Sequence, residues 1–343
     1  MRCCWSCPAP DDVIDPPPDP LGELIRSAET GSVRATARLL TWVESGGDRS
    51  ARIAAALAGR PRRARVIGVT GPPGVGKSTL VTALIARFRG RGLRVAVLAV
   101  DPSSPFSGGA LLGDRVRMAE HSADPGVFIR SMSSRGNLGG LSAAAPAAAD
   151  LLSAIGFDVL LVETVGVGQN EVAVMRLADT VVLVLAPGMG DGIQAAKAGI
   201  LEIADVLVVN KSDREGVAVT VRDLKAMVAL GRSGTATPAD WRVPVVSTTA
   251  TVGAGLDDLI AAVDEHAEQL HAHGGAWTRR HQRAEVAVEA VVLERIHAML
   301  ASGQGREHLA AAAALVAVGR TDHHRGAGEL LTWLAGAVGR DGW

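Results

Sequence analysis

Apolar positions along this chain fall into two regimes. From Val66 onward, short runs of β-branched and aliphatic residues alternate with stretches in which apolar residues recur every three or four positions. The runs predict strands at Val66–Thr70, Val95–Val100, Val127–Ile129, Val159–Glu163, Val181–Ala186, Val206–Asn210 and Val243–Val246. Each is apolar on both faces, the signature of a parallel sheet covered by helices on both sides. The expected fold class is therefore α/β, a doubly wound, mainly parallel sheet. Its chemistry should lie in loops at the carboxyl ends of the strands.

The flanks read differently. Up to Pro20 the chain is rich in Pro and Asp and reads as a linker or disordered tail. From Leu21 to Leu57 the apolar spacing is helical (Leu21, Leu24, Ile25, Ala28, then Val33, Ala37, Leu39, Leu40, Val43), with Gly31, Gly46 and Gly47 as breaks. Two or three short helices are expected there, packed on the core domain or forming a dimer or partner surface. From Trp277 to Trp343 helical spacing returns at Val286, Val288, Val291, Val292, Leu293 and Ile296, then at 309–318 and 330–338. The expected organisation is a tail over 1–20, a helical extension over 21–60, a nucleotide-binding domain over 61–272 and a helical arm over 273–343.

Composition narrows the function classes. The 343 residues carry a formal net charge of −1, which gives no electrostatic footprint for nucleic acid. There is no uninterrupted apolar run of about 18 residues and no secretion-signal pattern, so a cytoplasmic protein is expected. Cys3, Cys4 and Cys7 all lie in the first seven residues, which leaves the body of the fold without disulfides. They read as part of a tail or a misassigned start, or else as metal ligands. His271, His273, His323 and His324 read as scattered surface histidines, or else as metal ligands.

The chain has only four lysines among 35 basic side chains, and two of them stand in nucleotide motifs. GPPGVGKS follows the first predicted strand and opens a helix, the context that a phosphate loop requires. Its glycines let backbone N–H groups turn inward at phosphates, Lys77 can reach the β- and γ-phosphates as a point charge, and Ser78 can ligate Mg²⁺. The nucleotide contacts assigned to this stretch are Gly71, Pro72, Pro73, Gly74, Val75, Gly76, Lys77, Ser78 and Thr79. NKSD follows the sixth strand. Asp213 can accept from N1–H and the exocyclic amine of guanine, a donor pair that adenine lacks. Asn210 is placed to hold the loop and meet the base edge, and the stem of Lys211 to cover the ring. Ser247, Thr248 and Thr249, after the last strand, are expected to bring a backbone amide to the guanine carbonyl.

Between these motifs, DPSS at 101–104 and ETVGVGQNE at 163–171 each end a strand. Asp101 and Glu163 can hold a water on Mg²⁺ or cap the following turn, and Gly166 can aim its N–H at the γ-phosphate. Val167 stands where small GTPases place a water-positioning glutamine. Slow intrinsic hydrolysis, accelerated by a partner, is expected. Lys77, Gly166 and Gln169 are the catalytic candidates here, and Lys197 joins them only through the family resemblance that follows.

The combination GPPGVGKST, DPSSPFSGGALLGDRVRM, ETVGVGQNE, APGMGDGIQAAKAGI and NKSD resembles the MeaB (ArgK-type) GTPases associated with methylmalonyl-CoA mutase. That family is similar in fold to the metallochaperone GTPases that mature hydrogenase and urease. The resemblance implies a homodimeric GTPase that binds an adenosylcobalamin-dependent acyl-CoA mutase, gates cofactor loading and protects the mutase from inactivation. It implies Ser78, Asp101, Asp114 and Glu163 as the Mg²⁺ shell. It also implies a further switch over 187–199 with Gln194 and Lys197, and a dimerisation arm at the C-terminus. Two other readings stay open, a nickel-delivering maturation GTPase that would share the fold and, from a different class, an ATP-dependent kinase or transport ATPase. NKSD argues against ATP.

Overall fold

A computed structural model describes residues 19–101, 121, 123–133, 144–164, 175–188, 203–230 and 241–338, without the side chains of Asp101, Ser133, Leu230 and Val338. Seven strands form one sheet: β1 (Arg65–Thr70), β2 (Val95–Asp101), β3 (Val127–Ser133), β4 (Val159–Thr164), β5 (Thr180–Leu185), β6 (Val206–Val209) and β7 (Val245–Ser247). Every pairing is parallel, in the order β3-β2-β4-β1-β5-β6-β7. β1 lies at the centre, flanked by β4 and β5, so the loop that follows it is surrounded by the ends of its neighbours.

Two strand boundaries differ from the sequence reading by more than one residue. β3 runs four residues past Ile129 because Arg130, which ends the apolar run, ion-pairs with Glu44 of an N-terminal helix and is mostly shielded. β7 begins at Val245 rather than Val243. Pro244 has no N–H to offer a ladder, although its carbonyl accepts from Leu207 at 2.9 Å.

Alternate strand residues face opposite layers, as period-two geometry demands. Val66, Leu98, Leu160 and Val181 pack with α1 (Pro20–Glu29), α2 (Val33–Ser45), α3 (Gly47–Leu57) and α5 (Ala144–Ala154). Ile67, Val97, Leu161 and Val182 pack on the other side with α4 (Lys77–Gly90) and α7 (Leu256–Ala272). A smaller core joins Leu183, Leu185 and Leu207 to Leu224 of α6 (Val217–Leu230). Side-chain caps from Asp19 and Ser32 start α1 and α2.

Three more helices complete the described chain: α8 (Gly275–Ala301), α9 (Gly303–Ala317) and α10 (His323–Val338). α8 buries none of its residues, and Val288, Val292 and Leu293 remain 65, 50 and 45% exposed. Among the described residues no helix is long and apolar enough to cross a membrane.

Candidate functional site

The loop 71–76 turns directly from β1 into α4, and backbone sterics decide two of its residues. Gly71 has φ +142°, and a Cβ there would sit 2.1 Å from the carbonyl oxygen of Val184 in β5. Gly76 has φ +93°, and a Cβ would meet Asn210 Nδ2 at 2.6 Å. Val75 is wholly buried in the core and anchors the loop, whereas Pro73, Gly74 and Thr79 are exposed. Gly76 caps α4 with backbone alone, and the first N–H groups of any helix have no intrahelical partner. Lys77 is buried, and its Nζ donates to Gly71 O at 2.7 Å and Pro72 O at 3.2 Å. The ammonium is thereby held inside the loop.

One face of this loop meets the end of β4. Register pairs Val69 of β1 with Glu163, and Ser78 Oγ donates to Glu163 Oε1 at 2.7 Å. Glu163 is 1% exposed, and beyond it Thr164 Oγ1 donates to Thr70 Oγ1 at 3.1 Å. Val100 pairs with Thr164, so the backbone of Asp101 ends β2 alongside. A serine hydroxyl and a carboxylate in contact are hard oxygen donors, the set that Mg²⁺ takes. The residues present fit that ion.

The other face meets β6 and β7. Asn210, 2% exposed, donates from Nδ2 to Val75 O at 2.9 Å, while its Oδ1 accepts from Thr248 Oγ1 at 3.1 Å and the Ala250 amide at 3.2 Å. One amide thus ties together the loops after β1, β6 and β7. Lys211 has φ +58°, the only positive φ at a non-glycine among the described residues, and its Nζ donates to Gly74 O at 2.6 Å. Asp213 is exposed at the start of the turn that leads to α6. In the segment 247–249, expected to bring a backbone amide to the guanine carbonyl, the Thr248 and Thr249 amides donate to Val209 O at 2.9 Å and Ala254 O at 3.0 Å. The Thr249 amide is taken up by a small antiparallel bridge to Ala254, and the Thr248 amide by the end of β6. Ser212 Oγ and Thr249 Oγ1 stand 2.7 Å apart and join this segment to the NKSD loop. Ser212 was missed at sequence level; its only signal was a hydroxyl at the variable position of NKSD.

Gly166, Gln169, Lys197 and Asp114 fall outside the described residues, as do Val167, Gln194, Cys3, Cys4 and Cys7. His271 and His273 lie at the end of α7 and are exposed, and His323 and His324 open α10 and are exposed.

A central parallel sheet, a glycine loop entering a helix, and an Asn-Lys-x-Asp loop braced against it define a P-loop GTPase. The chain belongs to the methylmalonyl Co-A mutase-associated GTPase MeaB family, whose model matches residues 36–304. It is 48% identical to a protein of Pyrococcus abyssi described as a GTPase, over 79% of this chain and 84% of that one. It is 36% identical to GTPase ArgK of Escherichia coli, over 77% and 81%. The mouse mitochondrial methylmalonic aciduria type A homolog is 37% identical over 69% of this chain and 57% of its own length. Among solved structures, that of a LAO/AO transport system kinase superposes with a TM-score of 0.64 at 26% identity, covering 92% of this chain and 97% of that one.

Proposed function

We propose that the protein is a nucleotide-gated chaperone for an adenosylcobalamin-dependent acyl-CoA mutase of the methylmalonyl-CoA mutase type. It would act as a homodimer that gates cofactor loading and protects the mutase from inactivation. The observation that carries this reading is the family match over residues 36–304; the mouse relative bears the name of a disorder of methylmalonate metabolism.

The site supports the GTPase half of that reading residue by residue. The 71–76 loop and the first turn of α4 offer backbone N–H groups to the phosphates, and Lys77 exchanges the carbonyls of Gly71 and Pro72 for β- and γ-phosphate oxygens. Asp213 reads guanine, Lys211 covers the base, and Asn210 holds the surrounding loops in register. Ser78, Glu163, Asp101 and Asp114 would hold Mg²⁺, which when bound supplies positive charge to the triphosphate. Gly166, Gln169 and Lys197 are assigned to sensing or aligning the γ-phosphate. Loss of γ-phosphate contacts after hydrolysis would change the mutase-facing surface, with the motif 163–171 and the segment 187–199 as the switches.

The dimer reading rests on apolar area left in the open. Val288, Val291 and Leu331 are 65, 43 and 61% exposed, and with Ile53, Leu57 and Leu334 they line an apolar cavity of about 700 Å³. Size-exclusion chromatography of the purified chain with candidate adenosylcobalamin-dependent mutases tests the partner. Co-elution with one of them whose extent changes between GDP and a non-hydrolysable GTP analogue is expected. Co-elution with none, or with no dependence on nucleotide, would contradict the proposal.

A further inference from the structure

At the end of the sheet opposite the nucleotide loops, two aspartates repeat one arrangement. Asp179 immediately precedes β5 and Asp205 immediately precedes β6. The Asp179 amide donates to Val66 O at 2.7 Å, and its Oδ2 accepts the Val66 amide at 2.9 Å. Asp205 does the same with Val181, at 2.9 and 2.8 Å. In both cases the remaining oxygen, Oδ1, accepts from an arginine of α8: Arg283 Nη2 at 2.6 Å and Arg279 Nη2 at 2.8 Å.

The spacing explains the match. Residues four apart on a helix face lie about 5–6 Å from one another, and neighbouring strands about 4.8 Å. The root of α8 therefore crosses two adjacent strands with one arginine for each. Asp205 is fully buried and both arginine side chains are only 15% exposed, so these are not loose surface pairs. Trp241 Nε1 donates to Asp205 O at 2.8 Å, and His266 Nε2 stands 3.3 Å from Asp205 Oδ1, closing the pocket around the carboxylate.

The same two strands end in nucleotide-side loops. β5 leads through Ala186 to Pro187, where the segment 187–199 begins, and β6 leads directly into Asn210. We propose that Arg279 and Arg283 gear α8, and the helices it carries, to β5 and β6. A change of nucleotide at the far ends of these strands then reaches α9 and α10 as a rigid-body shift. The inference rests on guanine-nucleotide binding and not on the mutase reading, and no mutase enters its test.

Spin labels placed by Val33→Cys on α2 and Val318→Cys after α9, positions 49 and 70% exposed, report the shift. Cys3, Cys4 and Cys7 are replaced by Ser, and excess unlabelled protein removes distances between copies. The expected result is a distance that differs between GDP and a non-hydrolysable GTP analogue. Arg279→Met with Arg283→Met should abolish that difference while GDP affinity stays at the parent value. No difference in the parent protein, or a difference that survives the double substitution, would overturn the proposal. Removing both arginines strands buried carboxylates and can prevent folding. Asp179→Asn with Arg283→Met, which keeps an acceptor for the Val66 amide and leaves Arg279 on Asp205, should then reduce the difference, an unchanged difference overturning the proposal, and Arg283→Lys alone should retain the shift.

Discussion

Asn210 is committed to protein on both ends of its amide, bonded to Val75, Thr248 and Ala250, and so works as a strut between three loops. Replacing it with Ala leaves a buried carbonyl and a buried amide without partners, each costing about 1–3 kcal/mol. Asn210→Ala should lower stability by roughly 2–4 kcal/mol in denaturant titration and weaken GDP binding in the same protein. Wild-type stability with weakened binding would assign Asn210 to the base instead. Asp213 stands differently, exposed and positioned by the turn. Asp213→Asn should shift preference from guanine toward xanthine nucleotides, because the amide donates where the carboxylate accepted. Retained guanine selectivity in competition binding would refute that role.

At the scale of elements, local pattern carried the fold and failed where tertiary contact overrode it. All seven strands were legible as β-branched runs, most plainly β4, β5 and β6, in which every residue is buried. The exception, the second half of β3, was hidden by Arg130, whose burial depends on Glu44 of α2. The phosphate and guanine loops were legible because their chemistry is local. Ser78 against Glu163 could be placed only through strand order, being 85 residues apart. Nothing local announced the cluster of Asp205, His266 and Arg279, whose members come from three elements.

That cluster makes a pH prediction. Burial pushes the Asp205 carboxyl up to about 6 against the pull of Arg279, and burial pushes the His266 imidazole, already faced by Arg279, down to about 4. Asp179 faces Asp205 from the start of β5 and adds to the rise, and Thr180 holds His266 Nδ1 at 2.9 Å. Asp205 contributes stability that is present below its ordinary value of 3.8 and lost as pH rises through about 6. His266 contributes stability that is present above 6.5 and lost as pH falls through about 4. Between pH 4 and 6 the two slopes oppose, each at most about 1.4 kcal/mol per pH unit. His266→Asn removes the rising one, so its stability should fall as pH climbs across that window. Denaturant titrations of both proteins test this, and a variant as flat as the parent would contradict it.

For the molecule as a whole, the exposed apolar face of α8 to α10 asks for a cover, which the proposed homodimer would supply with a second copy. Sedimentation equilibrium should show a dimer that Val288→Glu converts to monomer without unfolding, since Val288 is 65% exposed in the single chain. A dimer indifferent to that change would place the interface elsewhere.

The central claim, a guanine-specific switch serving a mutase, is tested most directly by nucleotide turnover. GTP and ATP hydrolysis by the purified chain would be measured with and without adenosylcobalamin-dependent acyl-CoA mutases, with Lys77→Ala as the inactive control. The account predicts slow turnover of GTP only, accelerated by one mutase and lost by about a hundredfold or more in the control. ATP turnover equal to that of GTP, or GTP turnover that no mutase accelerates, would contradict it.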